Sequence, residues 1–125
     1  MILTKSEEQV MQILWMLDKA FVKEIVQHFD EPKPAYNTVS TIIRILEKKE
    51  FVSYESFGKT HQYYPIVQKD EYKRSSLSKM IDGYFNNSYK SLVSFFSKEE
   101  NLSIEEMEDI KKLMDDRIKN LKDKK

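Results

Sequence analysis

Between Phe21 and Tyr64 the chain spells two short helical patterns, a proline-bounded turn and an aromatic hairpin, an order that few folds accommodate. The second pattern, Ala35-Tyr36-Asn37-Thr38-Val39-Ser40-Thr41-Ile42-Ile43-Arg44-Ile45-Leu46, is the most constraining part. Val39, Ile42, Ile43 and Leu46 recur at three- and four-residue steps, so they share one helix face. The opposite face carries Tyr36, Asn37, Ser40, Thr41 and Arg44. Solvated helix faces are usually rich in Glu and Lys. A face of short hydrogen-bonding side chains with one aromatic and one guanidinium is one that a base edge or a phosphate can meet. The run has the shape of a winged helix-turn-helix, a DNA-reading module.

The flanking residues complete that shape. Thr4 and Glu7 form a capping box ahead of a helix whose buried stripe is Val10, Ile13, Leu14 and Leu17, with Trp15 beside it as a packing residue and Asp18-Lys19 as the exit. Val22, Ile25, Val26 and Phe29 predict a second helix, which Pro32 and Pro34 end. Pro34 also suits the first turn of the third helix, which runs to about Lys49. Phe51 to Glu55 and Thr60 to Tyr64 read as two strands joined at Ser56-Phe57-Gly58-Lys59. Two strands alone are marginal, so the hairpin must pack on the helices.

Beyond Asp70 the β pattern stops and polar helix formers dominate. The spacing predicts helices over roughly Glu71 to Tyr84 and Asn87 to Ser97, then a final helix capped by Ser103 and Glu106, with Lys122 to Lys125 as a frayed tail. Met80, Tyr84, Leu92, Phe96, Met107, Ile110 and Met114 lie on the apolar stripes of these helices. Three short helices cannot bury all of those stripes among themselves, so a second copy about a two-fold axis is the expected partner. Packing of the stripes back on the first half is the alternative. The expected architecture is mainly α: a winged helix-turn-helix domain over residues 1–69, followed by a three-helix dimerisation domain over 70–125.

Composition narrows the function. Cysteine is absent and the two histidines, His28 and His61, are far apart, which leaves no expected metal site or cofactor. No stretch approaches the roughly 20 apolar residues of a membrane span and no basic-then-apolar leader opens the chain, so a cytoplasmic protein without membrane insertion is expected. Neither histidine has a plausible catalytic partner, and the acids sit on helix surfaces, so no enzyme is expected. The 21 basic and 21 acidic residues cancel, whereas nucleic-acid binders are usually basic. Locally, Lys33, Arg44, Lys48 and Lys49 face only Glu47, a patch able to steer DNA. Candidate groove contacts are Asn37, Thr38, Ser40 and Thr41; Tyr36, Arg44 and, at the wing tip, Lys59 are candidate phosphate contacts. Thr38 can alternatively serve as a helix cap. The competing reading is a winged helix that contacts protein and never meets DNA.

Thr4 through Trp15 resembles the first helix of the penicillinase-repressor family, which typically has a Glu, apolar positions and a Trp there. Thr38-Val39 through Leu46 with Lys48-Lys49 resembles its recognition helix, and Gln62-Tyr63-Tyr64 its second wing strand. Ser91-Leu92-Val93 before Phe95-Phe96, and Leu102 through Glu106, resemble its dimerisation region. The resemblance implies a homodimeric repressor on palindromic double-stranded operator DNA, holding shut an antibiotic-resistance or envelope-response operon. It also implies relief by a membrane metalloprotease receptor that triggers a cut in the dimerisation helices. Ser94-Phe95 stands where cleaved members typically have Asn-Phe. Glu50 replaces the usual glycine at the exit of the recognition helix, and the paired cysteines of the copper-responsive branch are missing.

Overall fold

The computed structural model describes residues 2–99 and 101–124. Helix α1 (Lys5–Leu17) starts with the expected capping box: Thr4 Oγ1 accepts the Glu7 N–H at 3.2 Å, and Glu7 Oε1 accepts the Thr4 N–H at 3.0 Å. The same carboxylate oxygen receives Lys49 Nζ at 2.6 Å. One buried glutamate therefore caps α1 and also ties it to the end of the third helix. Burial pushes the Glu7 carboxyl up, but the hydrogen bonds from Lys49 and Thr4 and the Lys49 charge outweigh it, and Glu7 titrates below the usual glutamate value.

Strand β1 (Ala20–Phe21), helix α2 (Val22–Gln27), helix α3 (Tyr36–Lys48) and strands β2 (Val52–Phe57) and β3 (Thr60–Pro65) follow. β1 pairs antiparallel with β3 and makes the wing a three-stranded sheet of order β1-β3-β2. The sequence pattern does not reveal β1, because two residues show no alternation. The wing turn is also tighter than expected. Ser56 and Phe57 pair within β2, and only Gly58-Lys59 form the loop. Gly58 has φ 63°, the positive value that the first loop position of a II′ hairpin requires.

Pro34 lies outside α3, whose N-cap is Ala35, so Thr38 sits inside the helix and is not its cap. Val39, Ile43 and Leu46 are buried as one stripe and pack with Val10, Met11 and Leu14 of α1 and Ile25 of α2. Ile42, expected in that stripe, is only partly buried at its edge. Burying each such aliphatic side chain contributes about 1.5–3 kcal/mol. The exit of α3 is a complete Schellman motif: the Phe51 N–H donates to Leu46 O at 2.9 Å and the Glu50 N–H to Glu47 O at 3.0 Å. Glu50 takes φ 65° there, the left-handed conformation that glycine would adopt without strain.

Helix α4 (Lys69–Phe85) begins against this core. Tyr72 meets Trp15 (centroids 5.7 Å) and Phe51 (5.9 Å), while Trp15 Nε1 donates to Val67 O at 2.9 Å. The chain divides into compact units Met1–Leu77 and Ser78–Lys125, so the first turns of α4 go with the winged helix. Helices α5 (Tyr89–Glu99) and α6 (Ile104–Asp123) follow, the latter with the Ser103–Glu106 capping box in place. α6 continues through Lys122 and Asp123, so those two residues are helical and not tail; Lys125 lies outside the described residues. Asn87 precedes α5 in a left-handed turn with Asn86. No helix among the described residues is long and apolar enough to cross a membrane.

Candidate nucleic-acid interface

The buried stripe of α3 fixes which side chains point away from the core. At 100° per residue, the direction opposite Val39, Ile43 and Leu46 is occupied by Asn37, Thr41, Arg44 and Lys48. All four are exposed and form the outermost row of the helix. Thr41 Oγ1 donates to Asn37 O at 2.9 Å, so its hydroxyl proton is used within the helix and the oxygen is left as an acceptor. Tyr36 (54% exposed), Ser40 and Glu47 make a second row on the wing side. Thr38 and Ile45 lie on the far flank, so Thr38 is the least central of the candidate groove contacts.

The hairpin supplies the opposite wall. Its register sets Tyr54 across from Tyr63 and Ser56 across from His61, so these four side chains share one face of the sheet. Near the base that face covers the core, with Val52, Tyr63 and Pro65 buried. Further out the hairpin outruns the core, and the same face meets the wing-side row of α3 across an open cleft of ≈670 Å³. Tyr54 and His61 stack there at 3.9 Å with rings 4° from parallel. Lys59 at the wing tip and Arg44 both line the cleft. Burial first, then the nearby Glu47 carboxylate, pushes the Tyr63 phenol up, with Arg44 opposing, so Tyr63 stays neutral.

The basic patch is thinner than the sequence suggests. Lys49 is engaged by Glu7, and Lys33 Nζ donates to Gln27 O (2.8 Å) and Phe29 O (2.6 Å) at the end of α2. Arg44, Lys48 and Lys59 carry the exposed charge of this surface, joined by Lys23 at the cleft wall. The sequence alone does not single out Tyr54, Tyr63 or Lys23, and His61, on a strand, reads there as either a packing residue or a wing contact. Alternation along the hairpin, combined with its register, is the signal that finds the aromatic trio.

A match to the penicillinase repressor family covers residues 3–116. The chain belongs to the penicillinase repressor family. The methicillin resistance regulatory protein MecI of Staphylococcus aureus (strain N315) is 28% identical over 113 residues, which cover 90% of this chain and 92% of that protein. The penicillinase repressor of Staphylococcus aureus is 26% identical over 115 residues, covering 91% of each. A solved CopR repressor structure is 32% identical and covers 54% of this chain and 100% of its own, at TM-score 0.45. This family member is a transcriptional repressor, a DNA-binding regulator and not an enzyme.

The second unit of the repressor holds the remaining candidate residues. Phe96, Met107, Ile110 and Met114 come together with Val93 and Leu102 along an apolar groove of ≈370 Å³. Leu92 is half-buried beside Val93 on α5. Met80 and Tyr84, on α4, do not line the groove, and Tyr84 is 83% exposed. No residue of α5 or α6 is buried, so their stripes stay open in a single chain. Ser94 and Phe95 sit in mid-helix on α5. Ser94 O accepts the Ser97 hydroxyl at 3.0 Å, and the Phe95 ring meets Phe85 edge-on at 5.8 Å.

Proposed function

We propose that this repressor acts as a homodimer on a palindromic operator, with one α3 in the major groove of each half-site. The observation that carries this reading is the outermost row of α3. Asn37 offers the bidentate amide that suits adenine, the Thr41 methyl suits thymine's methyl, and Arg44 and Lys48 reach flanking phosphates or guanine. Tyr36, Ser40 and Lys59 support the backbone on the wing side, and Thr38 is a peripheral contact. The open stripes of the second unit seat the second copy through Met80, Tyr84, Leu92, Phe96, Met107, Ile110 and Met114. Two heads at fixed spacing bind far more tightly than one.

Control follows from that arrangement. A cut within the seam, severing Phe96, Met107, Ile110 and Met114 from the heads, removes bivalency; Ser94-Phe95 is the proposed bond, with a membrane metalloprotease receptor as its trigger. Because the bond lies within α5, it must leave the helix before an extended-chain protease can hold it. The regulated genes are proposed to serve antibiotic resistance or an envelope response, with the repressor in the cytoplasm. The test is the double variant Asn37→Ala/Thr41→Ala. It should retain salt-sensitive, sequence-independent binding while losing preference for its site, each lost base contact costing about 1–3 kcal/mol. Unchanged preference would remove this row from base reading.

A further inference from the structure

The cleft between α3 and the wing combines three properties. Its ≈670 Å³ falls within the roughly 300–1,000 Å³ of small-molecule sites. Its walls are aromatic, with the stacked Tyr54–His61 pair on one side and Tyr36 on the other. Its charge is unbalanced: Arg44 forms no ion pair among the described residues, and Lys23 and Lys59 also line the space. Two carboxylates line it as well, Glu47 and Glu24, the latter accepting the Phe21 N–H at 2.8 Å, so three cations face two acids and the cleft stays net positive.

These properties select a ligand class. A purely apolar ligand would strip water from Arg44 and return nothing, and a cation would enter a cleft that is already net positive. A bare inorganic anion would leave the aromatic walls unused. A planar ring bearing a carboxylate satisfies both, with bidentate hydrogen bonds to the guanidinium and stacking on a tyrosine. We propose that the cleft binds a small aromatic carboxylate, its carboxylate on Arg44 and its ring against Tyr54, and that the bound anion excludes operator DNA. The binding itself stands on the cleft alone; the exclusion rests on the proposed DNA reading, because Tyr36, Ser40, Arg44 and Lys59 serve both.

The probe is 2-naphthoate, titrated calorimetrically into the DNA-free full chain. Saturable binding at one per chain is expected, with a Kd below about 1 mM. Arg44→Gln and Tyr54→Ala, each confirmed folded by circular dichroism, should each weaken it about tenfold, whereas Lys48→Gln, outside the cleft, should leave it unchanged. Absence of saturation in the unmodified protein, or binding by either Arg44→Gln or Tyr54→Ala as tight as by the unmodified protein, overturns the site. A second arm measures binding to a selected duplex with and without naphthoate. A naphthoate-dependent rise in apparent Kd for DNA supports exclusion, and naphthoate bound with DNA affinity unchanged overturns it. Failure to bind any duplex without naphthoate overturns the DNA reading and leaves the calorimetric result standing.

Discussion

Glu50 holds φ at 65° in the place where a helix exit favours glycine. A side chain in that conformation costs about 1–2 kcal/mol, and here both Schellman hydrogen bonds and the buried Phe51 and Leu46 hold it there. Glu50→Gly should therefore stabilise the protein by about 1 kcal/mol, less the extra entropy of an unfolded glycine, seen as a higher urea midpoint with an unchanged m-value. Glu7 acts in the opposite sense. Its folded pKa lies below the unfolded one, so its contribution is present above the ordinary glutamate value and is lost as pH falls through the folded value. Urea titrations from pH 6 downward should show stability falling in the acid range, and Glu7→Gln should flatten that slope; an unchanged slope would assign the acid loss to other carboxylates. At the interface, Arg44→Ala should weaken binding to every duplex and lower the salt slope by about 0.9 per lost phosphate contact. An unchanged slope would take Arg44 off the backbone.

At the scale of elements, α3 has two faces, and burial of its core stripe aims the opposite row, the one proposed to read DNA. Ile43→Ala, fully buried, should cost about 2–5 kcal/mol by urea unfolding. It should lower the affinity of the folded fraction less than the change at Asn37 and Thr41 does. The helix and its two faces are legible in the sequence because a 3.6-residue period needs no knowledge of what lies opposite. Both expected capping boxes are legible for the same reason, each being complete within four residues. β1 is not, since Ala20-Phe21 becomes a strand only through pairing with Gln62 and Tyr63. The fates of Lys33 and Lys49 are also hidden. Their partners, the end of α2 and Glu7, are brought near by packing, so a charge count along α3 overstates the free patch. The cleft is hidden because Tyr54, His61 and Tyr63 share a face only once the register is known.

For the whole molecule, DNA reading is proposed for the first unit and pairing with a second copy for the other. The winged helix presents a single short row of side chains proposed to read bases, and the chain carries no net charge to supply affinity by electrostatics alone. Bivalency supplies it in the account proposed here. Met107→Asp with Met114→Asp should yield monomers by sedimentation and reduce operator affinity by about 10²-fold or more, and an intact dimer would exclude α6 as the seam. The most direct measurement is selection of bound sites from random duplex DNA by the full chain. A symmetric dimer should enrich an inverted repeat whose half-site centres lie a whole number of helical turns apart, roughly 10–10.5 base pairs or a multiple. Enrichment of a single asymmetric site, or no enrichment at all, would contradict that reading.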